Sequence, residues 1–220
     1  MSDLQRTEAW FSDRLGKVTA SRIADMRKRT QKGWAASRKE YMADLIAERL
    51  SGEHIPGGTG AARRWGQEIE PEAKRAYEFY RDAEIVDVGF VPHSVIADAG
   101  TSPDGLVGED GLVEFKCPTV LTHLETLETD EIAPEYIQQM QWQMACTGRS
   151  WCDFASYDPR YPEDLKLYVQ RVKRDDDLIS EIEKDVREFL EELATRVEKL
   201  RVKYAPVNDA EALQLPLAAG

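Results

Sequence analysis

Residues 102 to 118 read SPDGLVGEDGLVEFKCP, and the fold of the chain turns on how this stretch folds back on itself. Leu106 and Val107 precede, and Leu112, Val113 and Phe115 follow, a Gly108-Glu109-Asp110-Gly111 segment whose two glycines suit a tight reversal. Two β-prone arms, residues 101–107 and 112–116, are therefore expected to pair as a hairpin. Both are apolar enough for a place inside a sheet rather than at its edge. SPDG is itself a turn sequence and fixes Asp104 on one arm. Alternate strand residues share a face, so Glu114 and Lys116 point one way while Phe115 points into a core. The partner arm can bring Asp104 alongside them. Two carboxylates and an ammonium on one face are costly to bury unless a cation offsets the surplus negative charge. Mg2+, satisfied by one or two carboxylates with water and phosphate oxygens, fits that set. A salt bridge on an exposed hairpin is the competing reading of the same spacing.

Working outward, Thr7 is placed to cap a short helix through about Arg14 that Gly16 ends, and Thr19 or Ser21 to begin another through about Lys28. Residues 29–36, RTQKGWAA, read as a loop. Ser37 and Glu40 stand at capping-box spacing before a helix carrying Tyr41, Leu45, Ile46 and Leu50, which Gly52 ends. GEHIPGGTG, residues 52–60, is a connection whose glycines follow neither dinucleotide nor P-loop spacing. A helix is expected over residues 61–80, bent or restarted at Pro71, with Ala73, Ala76, Tyr77 and Tyr80 on its inner face. Strands over 85–88 and 90–96 would join the hairpin in a meander. Pro134 opens a helix that runs to Gly148, and strands follow over 151–157 and 165–172.

The clearest helical period is Leu178, Ile182, Val186, Phe189, Leu193, Val197 and Leu200, with Asp175 to Asp177 at its positive end. The expected class is α/β, a mixed central sheet flanked by helices, with N-terminal helices and a long C-terminal one. One domain over residues 1–220 is expected, with its core at about 10–172, the last helix at about 176–204 and a flexible tail at 206–220.

With 220 residues, 42% of them hydrophobic, the chain can bury a sizeable core. Its 41 acidic against 29 basic residues oppose a polyanionic partner on total charge. Distribution tempers this, because residues 14–39 hold Arg14, Lys17, Arg22, Arg27, Lys28, Arg29, Lys32, Arg38 and Lys39 against Asp25 alone. That asymmetry permits a local basic groove, although a solvated face is the plainer reading of such a run. No apolar run of about 18 residues and no signal-peptide pattern occurs, so a cytoplasmic protein without membrane association is expected. Cys117, Cys146 and Cys152 lack metal-ligand spacing and read as reduced, structural thiols.

SPDG and EFKCP, with WGQEIEPEAKRAYEF before them and YIQQMQWQM after, resemble the phage lambda exonuclease (YqaJ-type) branch of the PD-(D/E)xK nucleases. The likeness runs from about Trp10 to Val172 and takes in RLGKVTAS and FASYDPR. It implies a restriction-endonuclease-like core. It further implies a Mg2+-dependent 5′ to 3′ exonuclease that digests one strand from 5′-phosphorylated duplex ends, leaving a 3′ single strand for annealing recombination.

By the same resemblance, Asp104, Glu114 and the Phe115 carbonyl hold metal, two Mg2+ per site with Mn2+ able to substitute. Glu70 joins them, Glu68 being its competitor, and Lys116 assists the attacking water. Gln139 positions the water or the scissile phosphate, with Tyr136 beside it. Arg14, Thr19, Ser21 and Ser102 align with a 5′-phosphate pocket. Thr122 stands where the family places a further arginine, and His123 beside it would take over as donor; Arg63 and Arg64 replace an apolar wedge that parts the strands. A ring-shaped homotrimer and a single-strand annealing partner are also implied. A structure-specific or restriction-like endonuclease, or a catalytically weak DNA-binding recombination module, remains open as an alternative.

Overall fold

The computed structural model describes residues 4–56 and 60–205, apart from the side chains of Ala62 and Arg63. The tail beyond residue 205 and the glycines of the 52–60 connection at Gly57 and Gly58 lie outside the described residues. Helix α1 (Glu8–Arg14) begins where Thr7 accepts the Trp10 N–H, and the chain leaves it through Gly16 at φ 66°. Strand β1 (Val18–Thr19) leads into a 3-10 turn over Ala20–Arg22 and then α2 (Ile23–Arg27). Thr19 precedes that turn but its side chain makes no capping hydrogen bond. In place of the loop expected at 29–36, β2 (Arg29–Thr30) and β3 (Gly33–Trp34) form a small ribbon, turned by Gly33 at φ 111°. Helix α3 (Ala36–Ser51) starts after Ala35, so Ser37 lies inside its first turn and the Ser37–Glu40 capping box does not form.

Helix α4 (Ala61–Arg81) runs unbroken through Pro71. Burial of Ala73 and Tyr77 against the sheet holds it there despite the missing backbone donor. Tyr80, expected inside, is 62% exposed, since three residues on from Tyr77 it has turned about 60° away from the buried face. Beyond it come β4 (Ile85–Val86), β5 (Val91–Pro92), β6 (Ala99–Thr101), β7 (Gly105–Val107) and β8 (Gly111–Lys116). The anticipated arm at 101–107 is interrupted at Ser102-Pro103-Asp104. Pro103 has no N–H to give a ladder, and the Asp104 carboxylate accepts the Phe115 N–H at 2.8 Å. The meander therefore divides between two sheets, one ordered β1-β6-β5 and the other centred on β8.

Helices α5 (Val120–Thr129) and α6 (Pro134–Thr147), strands β9 (Trp151–Tyr157) and β10 (Leu167–Lys173), and helix α7 (Asp176–Lys203) complete the chain. The larger sheet has the order β10-β9-β8-β7-β4, mixed because β8 and β9 run parallel while their other neighbours are antiparallel. The hairpin strand β8 is thus central, as its apolar flanks predict. On one face of the sheet Val113, Phe115, Ala155 and Tyr157 pack against Ala73 and Tyr77 of α4. On the other, Leu112, Cys152 and Phe154 pack against Met140 and Met144 of α6.

A further core joins α2, α3, α6 and α7 through Ile23, Met42, Trp142, Ile182, Phe189 and Leu193. Asp175 caps α7 by accepting the Leu178 N–H. Part of the basic stretch at 14–39 is paired with acids. Arg27 pairs with Asp185 and Glu181 and Arg38 with Glu192 of the last helix, while Arg22 pairs with Asp25 and Asp44. The cysteines are free, with Cys146 and Cys152 buried. Among the described residues no helix is long and apolar enough to cross a membrane.

Candidate active site

Strand alternation on β8 turns Glu114 and Lys116 to the α6 face while Phe115 enters the opposite core against Tyr77. Glu114 is 3% exposed and is held from both oxygens. Its Oε1 accepts Lys116 Nζ at 2.6 Å and Gln139 Nε2 at 2.6 Å, while Oε2 accepts Gln143 Nε2 at 2.6 Å. Gln139 Oε1 in turn accepts Lys116 Nζ at 3.1 Å. Tyr136, which stacks on Phe154, places its ring 4.7 Å from the same ammonium. Asp104 reaches this group from the turn ahead of β7 through its bond to the Phe115 N–H.

Asp104, Glu114, Lys116 and Gln139 line a cleft of about 400 Å3 with Glu70, Arg14, Ser21 and Ser102, whereas Tyr136 and Gln143 stand behind its wall. Glu68 is exposed and does not line it, which separates the two competing acids of α4. Ser102 Oγ accepts Arg14 Nη1 at 3.0 Å and Trp10 Nε1 at 2.9 Å, tying α1 to the turn that carries Asp104. Thr19 is buried behind this lip, its N–H on the Tyr41 hydroxyl, and opens instead on an adjacent recess shared with Trp10, Arg14 and Ser21.

His123 does not serve as a donor in the cleft. It is fully buried between Ser156 Oγ at 2.8 Å and the Leu165 carbonyl at 2.9 Å, because α5 carries it behind β9. Thr122 lies in the first turn of α5, its N–H on the capping Thr119. The Arg63 side chain lies outside the described residues.

Residues that sequence reasoning misses are Gln143, Trp10, Gln5 and Arg6. Gln143 follows Gln139 by four positions in YIQQMQWQM, a spacing that puts both on one helical face and could have flagged it. Gln5 Nε2 donates to the carbonyls of Val88 and Pro103 at 2.9 and 2.8 Å, pinning the segment before α1 across the SPDG turn. Arg6 then sits at φ 66° with Nη2 3.2 Å from Glu70 Oε2.

The electrostatics suit a cation. Burial, followed by the charges of Glu114 and Glu70, pushes the Asp104 carboxyl well above the usual carboxylate range. Burial alone would depress the Lys116 ammonium, but Glu114 and Asp104 more than offset it and raise its pKa. Among the described residues no three His, Cys, Asp or Glu side chains are gathered tightly enough to hold a metal by themselves. A magnesium ion needs only one or two carboxylates, with water and phosphate in its other positions. Asp104 and Glu114, short of positive charge and rich in oxygen, fit it.

Comparison with known proteins places the fold in a family. Residues 9–150 match the YqaJ-like viral recombinase domain model. Comparison with curated proteins finds no match. The crystal structure of an alkaline exonuclease, LHK-Exo, from Laribacter hongkongensis is similar at 51% identity and TM-score 0.85, over 90% of this chain and 98% of that one. LHK-Exo in complex with dAMP gives 52% identity and TM-score 0.84 over the same shares. A phage related exonuclease from Haemophilus somnus 129PT shares the fold at TM-score 0.66 and 14% identity, over 84% of this chain and 96% of that one. With nearly two thirds of its length matched to the family model and 51% identity to LHK-Exo over 90% of the chain, this chain belongs to the YqaJ-like viral recombinase domain family.

Proposed function

We propose that this chain is a magnesium-dependent exonuclease that digests one strand of duplex DNA in the 5′ to 3′ direction. The observation that carries the reading is the joining of Asp104, Glu114 and Lys116 in one cleft with Arg14, Ser21 and Ser102. A hydrolytic group thus stands beside an anion-binding one. Similarity to LHK-Exo supports the choice of an exonuclease.

Asp104, Glu114 and the Phe115 carbonyl would hold Mg2+, with Glu70 completing the set and Mn2+ a substitute. When bound, the ion supplies stabilisation for charge developing on the scissile phosphate. Lys116, kept charged by its two carboxylate neighbours, orients a water for in-line attack or steadies the phosphate oxygens. Gln139 donates to Glu114 and accepts from Lys116, so it fixes the lysine at that task. Water forms the new P–O bond and the P–O3′ bond breaks, which releases a 5′-phosphorylated nucleotide. Arg14 with the Ser102 and Ser21 hydroxyls would receive a terminal 5′ phosphate and so set polarity. The homotrimeric ring, the single-domain organisation and a single-strand annealing partner are part of this proposal on family resemblance.

Strand polarity on end-labelled duplexes carrying 5′ phosphate or 5′ hydroxyl tests it. In magnesium, the phosphorylated end is shortened from its 5′ side and faster than the hydroxyl end. Asp104→Ala lowers the rate at least about a thousandfold. Equal cutting of both ends from either side, or digestion of covalently closed circles, would favour an endonuclease and sink the reading.

A further inference from the structure

Glu70 is the cleft carboxylate most open to exchange. Arg6 Nη2 stands 3.2 Å from its Oε2 and Lys74 Nζ 3.8 Å from its Oε1, but Lys74 has a closer partner in Asp87 at 3.0 Å. The Arg6 and Glu70 side chains are 36% and 27% exposed, so their attraction is screened and weak. Arg6 nonetheless sits in the left-handed region, uncommon for a residue with a side chain, and its neighbour Gln5 is clamped to the carbonyl of Pro103 beside Asp104. Arg6 thus stands on the lip shared by the cleft and a recess of about 140 Å3 lined also by Gln67, Glu70, Lys74 and Asp87.

Charge balance gives the arginine a second task. The three carboxylates Asp104, Glu114 and Glu70 are matched by one divalent ion and Lys116. In that state the charge of Arg6 is surplus and available to an incoming anion. Arg6 and Arg14 are the arginines that line the cleft among the described residues.

We propose that Arg6 is an exchangeable counter-ion of Glu70, releasing that carboxylate to a divalent cation and then binding a phosphate oxygen of the DNA end. The exchange rests on Glu70 serving as a metal carboxylate, as in the function proposed above. Guanidinium geometry suits both partners, since the same planar fork meets carboxylate and phosphate.

Calorimetric titration of Mn2+ into the DNA-free protein, together with steady-state kinetics on a 5′-phosphorylated duplex, tests the exchange. Arg6→Gln is expected to bind Mn2+ about three- to fivefold tighter while KM for the duplex rises about tenfold and kcat holds. Arg6→Lys keeps the wild-type Mn2+ affinity, and in Arg6→Gln combined with Glu70→Gln the tightening disappears. Thermal melts matching wild type confirm that each variant is folded. Mn2+ affinity that depends on Glu70 but ignores Arg6, or an unchanged KM, overturns the exchange alone. Mn2+ affinity unaffected by Glu70→Gln removes both the exchange and the Glu70 assignment.

Discussion

Gln143 holds the second oxygen of Glu114, and its own carbonyl faces the Cys152 thiol at 3.9 Å. Burial, followed by the negative charge of Glu114, pushes that thiol far up, so it stays protonated as a weak donor. A chain of partners therefore sets the angle at which Glu114 would meet the proposed cation, and such supports govern how tightly a ligand set binds. Gln143→Leu should raise the magnesium concentration for half-maximal activity about 10- to 100-fold, with activity recovered at high magnesium. A fall in activity that no magnesium concentration restores would assign Gln143 to packing instead. At this scale the sequence is informative where chemistry is compact: Asp104, Glu114 and Lys116 are legible from alternation and turn residues. Gln143 is legible only in part, because its spacing from Gln139 gives the shared helix face but not the acceptor. His123 reads as a donor for the same reason, since nothing local shows that α5 turns it toward Ser156.

Elements with their own period, α6, α7 and the β7–β8 hairpin, are legible from sequence. Helix α5 is not, since Val120, Leu121 and Leu124 are substantially exposed and leave no inward stripe to read. The division of the meander into two sheets is likewise hidden, because strands of two or three residues carry no periodicity and pairing is decided by distant partners. Gly100 on β6 shows how tight that junction is. A Cβ there would meet the Val91 carbonyl oxygen at 2.6 Å and the Phe90 ring, and the Gly100 carbonyl takes the Trp142 indole N–H at 3.1 Å. Gly100→Ala should cost about 1–3 kcal/mol, read as a lower denaturant midpoint at unchanged m-value. Stability equal to wild type would mean the two short strands can part without loss.

Across the molecule, α7 binds the N-terminal helices and the small sheet into one body. Its acids neutralise Arg27 and Arg38, and its apolar face buries Ile182, Val186 and Leu193. Two arginines of the basic run at 14–39 thus meet acids of the C-terminal helix, a pairing that composition alone cannot reveal. His93 marks the same junction from the small sheet, stacked on Trp142 and 3.3 Å from Glu183, with Arg187 bound to that glutamate. Burial holds its pKa below the ordinary histidine value, against the pull of Glu183. The folded state therefore resists protonation there. Its contribution is intact above the ordinary histidine value and is lost as pH falls through that value toward the depressed one. Between about pH 7.5 and about pH 5, wild type should lose more stability to denaturant than His93→Gln. Equal losses in the two proteins would exclude the histidine as the source.

Strand β8 carries core on one face and the proposed catalytic side chains on the other, one residue apart, and this restricts how the gene can change. A single inserted codon within 111–116 would exchange the places of Phe115 and Glu114, sending a carboxylate against Tyr77 and an aromatic ring to Gln139. Two inserted codons would restore the facing yet carry Glu114 about 7 Å along the sheet, out of reach of both glutamines. Variation in length is thereby steered into the exposed turn at Gly108 and Glu109, so the strand behaves in inheritance as an indivisible unit whose letters can change while its count cannot.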